Sequence, residues 1–400
     1  MNYKNTNKLE IFKDSIHAGT LSRIEGGCFF TFSNDFIKSD IKNLTFNLNK
    51  NKPTHRFIGH NLPPFFANLL PEGLRLRALV KNLKTSEDDM FSLFAATGSS
   101  VIGDIHTKPI SEPNNKTANK LKEIDFYELF AKTITTIIPT AEGNDTFAGI
   151  QEKLSASMIT FPLNIAGTDK SYIIKLNSQN HTNLVENEYY SMLLAAKCGI
   201  KTAKNKIVKD KNNNKGLLVE RFDRERKDNK LLMHHQEDAC QFLEKYPSEK
   251  YRISLNQIAD KIMILSTAAP VMILELLKQY CFSYLLGNGD LHAKNISLLQ
   301  KNGSSFIELS PAYDIITTSI YNDNKMAIKI NGRDDNIKFK TILDFSQHYG
   351  IPEKATKLMI LKLITNFEKN LSIIENIPMP PKTLKKQYYF MNKRINLLTP

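Results

Sequence analysis

The chain is poor in several features that define whole classes of protein. Its four cysteines, Cys28, Cys198, Cys240 and Cys281, lie far apart and never in a CxxC pair. That spacing excludes a zinc ribbon or dithiol redox site and predicts reduced, mostly buried thiols in a cytosolic protein. No long hydrophobic run is present either. Met1 to Lys8 lack the apolar core of a secretory signal, and the most apolar stretch, Ala268 to Gly287, is interrupted by Glu275 and Lys278. A membrane span is therefore not expected; the stretch reads as a buried amphipathic helix running straight into Gly289-Asp290. Internal repeats and long low-complexity tracts are missing too. Acidic residues are outnumbered, 41 against 54 Lys and Arg, for a formal net charge of +13. Such a balance favours polyanions, although many lysines sit among asparagines in solvated stretches such as Asn205–Lys215.

What is present is enough for a globular fold. With 400 residues, 41% of them hydrophobic, the chain can bury one large bilobal core or two ordinary ones. Residues 1–110 form a first α+β unit: β-like runs at Leu9–Phe12, Cys28–Phe32 and Leu44–Leu48, a helical patch around Phe65–Leu83, and an apolar run at Val101–Ile105. Residues 111–120 are polar, contain Pro113 and have the composition of a linker. Residues 121–222 continue with strands at Ser155–Phe161, Ser171–Leu176 and Gly216–Glu220, and a helix at Glu186–Cys198. That order suits a kinase nucleotide-binding lobe. Residues 223–400 read as mostly helical, apart from a hairpin at Ile296–Gln300, Asn302-Gly303 and Phe306–Ser310.

The chemistry is concentrated where the apolar helix meets that hairpin. Asp290 stands five residues before Asn295, and the hairpin leads on to Tyr313-Asp314. In a D-x-x-x-x-N loop the carboxylate orients an attacking hydroxyl and accepts its proton, while the Asn amide oxygen holds Mg²⁺. Asp314 supplies a second oxygen ligand, and Mg²⁺ needs only one or two carboxylates beside the nucleotide phosphates. Lys175, a lone charge at the end of Tyr172-Ile173-Ile174-Lys175-Leu176, is the candidate for gripping the α/β-phosphates, with Glu186 or Glu188 to orient it. The phosphate-covering loop has a single glycine: Thr146 to Lys153 fits neither the G-x-G-x-x-G nor the Walker pattern.

The segment Leu62-Pro63-Pro64-Phe65-Phe66-Ala67-Asn68-Leu69-Leu70-Pro71-Glu72-Gly73, together with Ala148-Gly149-Ile150-Gln151-Glu152-Lys153, Ile173-Ile174-Lys175, Val219 to Arg224, His235-Gln236-Glu237-Asp238, Gly289 to Asn295 and Pro311 to Asp314, closely resembles the HipA-like serine/threonine kinases. These are the toxin halves of bacterial toxin–antitoxin pairs. The resemblance implies an α+β, bilobal protein-kinase-like fold with an extra N-terminal α+β subdomain and a mostly helical C-terminal lobe. It implies ATP and Mg²⁺ as cofactors. The ATP site would include Ala148, Gly149, Ile150, Lys153, Lys175 and His292, with Glu220 and Phe222 as the adenine hinge and Asp223 and Gln236 near the ribose. Thr146, where serine is common in the family, becomes the candidate for autophosphorylation.

As partners the resemblance implies a HipB-like helix-turn-helix antitoxin, a protein substrate of the aminoacyl-tRNA synthetase class, and indirect contact with operator DNA. Two other readings stand beside it. Gly289-Asp290-Leu291-His292 also resembles small-molecule phosphotransferases, which lack the Leu62–Gly73 and His235–Asp238 motifs. A co-repressor module with weak catalysis would use the basic charge near operator phosphates. A cytoplasmic location is expected, and delivery to another cell is compatible with the sequence.

Overall fold

The structure is a computed structural model in which residues 3, 6–98, 101–108, 119–137, 158–177, 183–228 and 230–400 are described. The chain forms two compact units: Met1–Thr182 with Val208–Pro247 and Lys301–Gly303, and Asn183–Ile207 with Ser248–Gln300 and Ser304–Pro400.

The first unit opens with an antiparallel sheet of order β4-β3-β2-β1-β5, made by β1 (Lys8–Lys13), β2 (Ile16–Ile24), β3 (Gly27–Phe32), β4 (Thr54–Ile58) and β5 (Ile105–His106). Alternation along β3 buries Cys28, Phe30 and Phe32 against Phe36, Phe65, Phe66, Phe91 and Phe94, the period-two pattern of a sheet with one covered face. The helical patch resolves into two helices, Pro64–Ala67 and Gly73–Leu83, with Pro71 between them. The strand expected at Leu44–Leu48 is instead a sequence of bends. There the Thr45 hydroxyl accepts from the Asn47 and Leu48 N–H groups, a local turn that competes with pairing.

A second core in this unit packs Phe126, Phe130 and Leu74 on Phe161, Ile174, Leu176 and Leu218. These last belong to β6 (Ile159–Asn164), β7 (Ser171–Leu176) and β9 (Lys215–Glu220), with β7 antiparallel to both neighbours; β8 (Asn205–Lys209) carries the chain back into the unit at Val208. After Phe222 the structure departs from the mostly helical expectation. β10 (Arg224–Lys227) and β11 (Lys230–Met233) form a hairpin, and β12 (His235–Asp238) follows. Charge explains the miss, because Arg-Glu-Arg-Lys offers no hydrophobic period to read. Asp238 then caps the helix Ala239–Phe242 in a reciprocal box with Gln241.

The second unit is helical around Ala269–Leu286. This helix is buried around most of its circumference, through Met272, Ile273, Leu276, Leu277, Tyr280, Phe282 and Tyr284, so it is a core helix rather than an amphipathic one. It ends at Gly287, whose φ of 81° is a left-handed cap that an L side chain would strain. Arg394 of the last helix, Pro381–Leu398, lies 4.1 Å over the Tyr284 ring and donates to its carbonyl at 2.5 Å. Beyond the loop that follows Gly287 come the antiparallel strands β13 (Ser297–Gln300) and β14 (Ile307–Leu309). All four cysteines are free and buried, and burial pushes the Cys28 and Cys198 thiols up to about 12. No helix among the described residues is long and apolar enough to cross a membrane.

Candidate active site

In the second unit, the end of the core helix sets the geometry of the loop after it. Asn288 is fully buried and its Oδ1 accepts the Asp290 N–H at 3.1 Å, while Thr318 Oγ1 accepts the Gly289 N–H at 2.7 Å. A Cβ on Gly289 would stand 2.5 Å from an Asp323 carboxylate oxygen and 2.7 Å from the Lys325 carbonyl, so the position before Asp290 has no room for a side chain. Asn295 closes the loop on itself: its Oδ1 accepts the His292 N–H at 3.0 Å. Its Nδ2 donates to Asp314 Oδ2 at 2.9 Å. The Tyr313 hydroxyl, which bonds Ser297 Oγ at 2.6 Å and donates to the Lys294 carbonyl at 2.7 Å, pins the returning chain beside the loop. Asp314 itself has a φ of 58°. A left-handed conformation is costly for most residues and is tolerated by Asp more readily than by bulky ones.

The electrostatics single out Asp290. Burial first, and then the Asp314 carboxylate, push its carboxyl up to about 6, against the opposing pull of the Tyr251 hydrogen bond and Lys250. A carboxylate raised toward neutrality is suited to accept a proton near physiological pH. Asn295 and Asp314 also fit a hard cation. Asn295 Oδ1 uses one lone pair on His292 and keeps another. The crowding of Asp314 on Asp290 is what a bound divalent ion would relieve. Among the described residues no group of three or more His, Cys, Asp or Glu forms a ready cage; Mg²⁺ held together with nucleotide phosphates requires fewer protein ligands.

The remaining predicted residues are distributed as follows. Lys175 lies in the first unit on β7, paired with Thr160 and Leu217, on the sheet face opposite the buried Ile174 and Leu176. Glu186 and Glu188 are buried on the helix Leu184–Lys197 of the second unit. Glu220 ends β9 and its side chain is taken by Lys170 at 2.5 Å, a strand-end ion pair; Phe222 is half-buried rather than a core aromatic, and Gln236 is buried on β12. His292 is buried at the start of the Asn295 turn. Thr146, Ala148, Gly149, Ile150 and Lys153 lie outside the described residues.

Asp223 has a role that the sequence did not suggest. It is buried, and its Oδ2 accepts from Arg221 at 2.6 Å, Arg224 at 2.8 Å and the Gly103 N–H at 2.8 Å, while Oδ1 accepts from Arg221 Nε at 2.9 Å. Burial opposes ionisation, but Arg221 and Arg224 prevail and hold the carboxyl well below the usual range. Nearby, Lys13 Nζ lies 2.9 Å from Asp104 Oδ2, and His235 bridges Asp104 at 2.7 Å and Glu237 at 2.8 Å. Burial and Lys13 disfavour the charged imidazole, yet the two carboxylates leave its pKa raised. The partners in this network are 91 to 222 positions apart apart from His235 and Glu237, so no local pattern announces it. Only the His235–Asp238 motif pointed there.

The chain is similar to known proteins along most of its length. The model of the HipA N-terminal domain matches residues 9–108, and that of the HipA-like C-terminal domain matches residues 146–371. The serine/threonine-protein kinase toxin HipA of Shewanella oneidensis is 28% identical over 346 residues, 79% of this chain and 77% of that protein. Y4dM of Sinorhizobium fredii is 27% identical over 337 residues, 78% of this chain and 77% of its own. In a solved complex of Shewanella oneidensis HipA, HipB and operator DNA, a chain of the same fold superposes with a TM-score of 0.71 at 22% identity, covering 98% of this chain and 96% of that one.

Proposed function

This chain belongs to the HipA family and is a protein kinase, and on that premise we propose that it transfers the γ-phosphate of ATP to a serine or threonine hydroxyl of a cellular protein and so arrests growth. The observation that carries the reading is the loop in which Asp290 is raised to about 6 while Asn295 and Asp314 meet at 2.9 Å. Asp290 orients the acceptor hydroxyl and takes its proton as the oxygen attacks phosphorus. Asn295 and Asp314 would hold Mg²⁺, which when bound neutralises phosphate charge. Lys175 steadies the α/β-phosphates, the backbone at Glu220 and Phe222 receives adenine, and Gln236 and His292 are further proposed nucleotide contacts. Asp223 acts at the ribose end by holding the hinge segment in place.

The proposed partners follow the same logic. A HipB-like antitoxin neutralises the kinase, as the neighbour of shared fold is found with HipB and operator DNA, and the +13 charge suits a complex near phosphates. An aminoacyl-tRNA synthetase is the proposed substrate class, the cytoplasm the proposed compartment, and Thr146 the proposed site of self-phosphorylation. Phosphoproteomics after brief induction, with Asp290→Ala as control, tests the core of this reading. Serine or threonine phosphosites that rise with the wild type alone support it, and identical phosphoproteomes with equal growth arrest would sink it.

A further inference from the structure

Tyr251 lies outside every motif of the loop, yet its phenol donates to Asp290 Oδ1 at 2.9 Å. A general base must lie about 2.6–3.2 Å from the oxygen whose proton it takes. The phenol therefore makes the contact that an acceptor alcohol would have to make. The Tyr251 side chain also reaches solvent. It is 52% exposed, whereas Asn288, which holds the Asp290 backbone, is fully buried. Its ring meets His292 edge-on at 5.2 Å, with the Lys250 ammonium 5.4 Å from its centroid. The backbone around it is fastened: the Ala293 N–H donates to the Lys250 carbonyl at 3.1 Å and the Arg252 N–H to the Glu249 carbonyl at 2.8 Å. The ring can swing about its own side-chain torsions while the segment stays in place.

We infer that the Tyr251 hydroxyl occupies the acceptor position beside Asp290 and is displaced when the serine or threonine hydroxyl of a protein substrate enters. Acceptor binding is then a competition at a single carboxylate oxygen. The inference deepens the proposed kinase reading and rests on Asp290 being the base.

Steady-state transfer from radiolabelled ATP to myelin basic protein, with the acceptor varied at saturating ATP, tests it. Tyr251→Phe removes the competing hydroxyl and is expected to lower the acceptor KM by about three- to tenfold, with the KM for ATP unmoved. An acceptor KM that stays level or rises, or an effect confined to kcat, overturns the inference in favour of a residue that merely positions Asp290. Asp290→Ala keeps the two ideas apart. Transfer at the wild-type rate in that variant removes the base itself, whereas loss of transfer there with an unmoved KM in Tyr251→Phe removes only the tyrosine. A second measurement needs no turnover: fluorine NMR of the full chain carrying 3-fluorotyrosine, with the Tyr251 resonance assigned by Tyr251→Phe. That resonance is expected to move in Asp290→Ala and again when myelin basic protein is added with a non-hydrolysable ATP analogue. A resonance indifferent to either change overturns the inference.

Discussion

Two aspartates, one in each compact unit, have opposite fates. Asp223 is surrounded by two guanidiniums and a backbone N–H and is held well below the usual carboxylate range. Asp290 receives its own stabilisation from the Tyr251 phenol and the Lys250 ammonium, faces Asp314, and is pushed up to about 6. Both environments withdraw water, so burial alone does not separate them. What separates them is whether the fold supplies enough donors. A fully satisfied carboxylate fastens segments together, while one left short of partners keeps a proton affinity that chemistry can use. The difference separates a carboxylate that fastens the chain from the one proposed to act in phosphoryl transfer, without reference to any relative.

The largest effect belongs to Asp290→Ala, expected to lower kcat for phosphoryl transfer by about 10²- to 10⁴-fold, read from initial rates, with the folded state intact by circular dichroism. Asp223→Ala should do the reverse. It leaves Arg221 and Arg224 buried beside no anion and is expected to destabilise the chain by about 3–5 kcal/mol, read from denaturant unfolding; a stable, inactive variant would reverse the assignment. Next comes pH. Because the folded-state pKa of Asp290 is raised to about 6, its protonation contributes stability that is present below the unfolded value near 4 and lost as pH rises through 6. Asp290→Asn should therefore raise the thermal midpoint at pH 7.5, with the gain gone by about pH 4, and wild-type transfer should fall as pH drops through about 6. Asp223 has the opposite sign, so its contribution persists until acid takes the pH below about 4. Smallest is Lys170→Ala, whose partly exposed pair with Glu220 should change stability by less than about 1 kcal/mol.

How much was legible in the sequence follows from the range of the forces involved. The strands at Lys8–Lys13, Gly27–Phe32 and Ser171–Leu176 and the helix Ala269–Leu286 declared themselves through local apolar patterns. The loop carrying Asp290 and Asn295 was visible because its spacing is short, and Asp314 because a hairpin with an Asn302-Gly303 turn connects it. Leu44–Leu48 misled because its apolar residues alternate as in a strand, while Thr45 turns the backbone through its own hydroxyl. The hairpin Arg224–Met233 was hidden by charge. Lys13, Asp104, His235 and Glu237 were hidden by distance, since each is unremarkable among its sequence neighbours and acquires meaning only where β1, the turn before β5 and β12 converge. Tyr251 escaped for the same reason.

The short stretch Val101–Asp104 carries a consequence for how such a chain can be rearranged. Its Val101 and Gly103 carbonyls receive the guanidiniums of Arg221 and Arg224, its Gly103 N–H meets Asp223, and Asp104 meets Lys13 and His235. Residues that belong by sequence to the opening domain thus complete the bonding of the segment that follows β9. Excision of the first hundred or so residues would leave Arg221 and Arg224 without their carbonyl acceptors and His235 without Asp104. The N-terminal quarter is accordingly not an exchangeable cassette: recombination that swaps it must carry along compatible partners at Arg221, Asp223, Arg224 and His235.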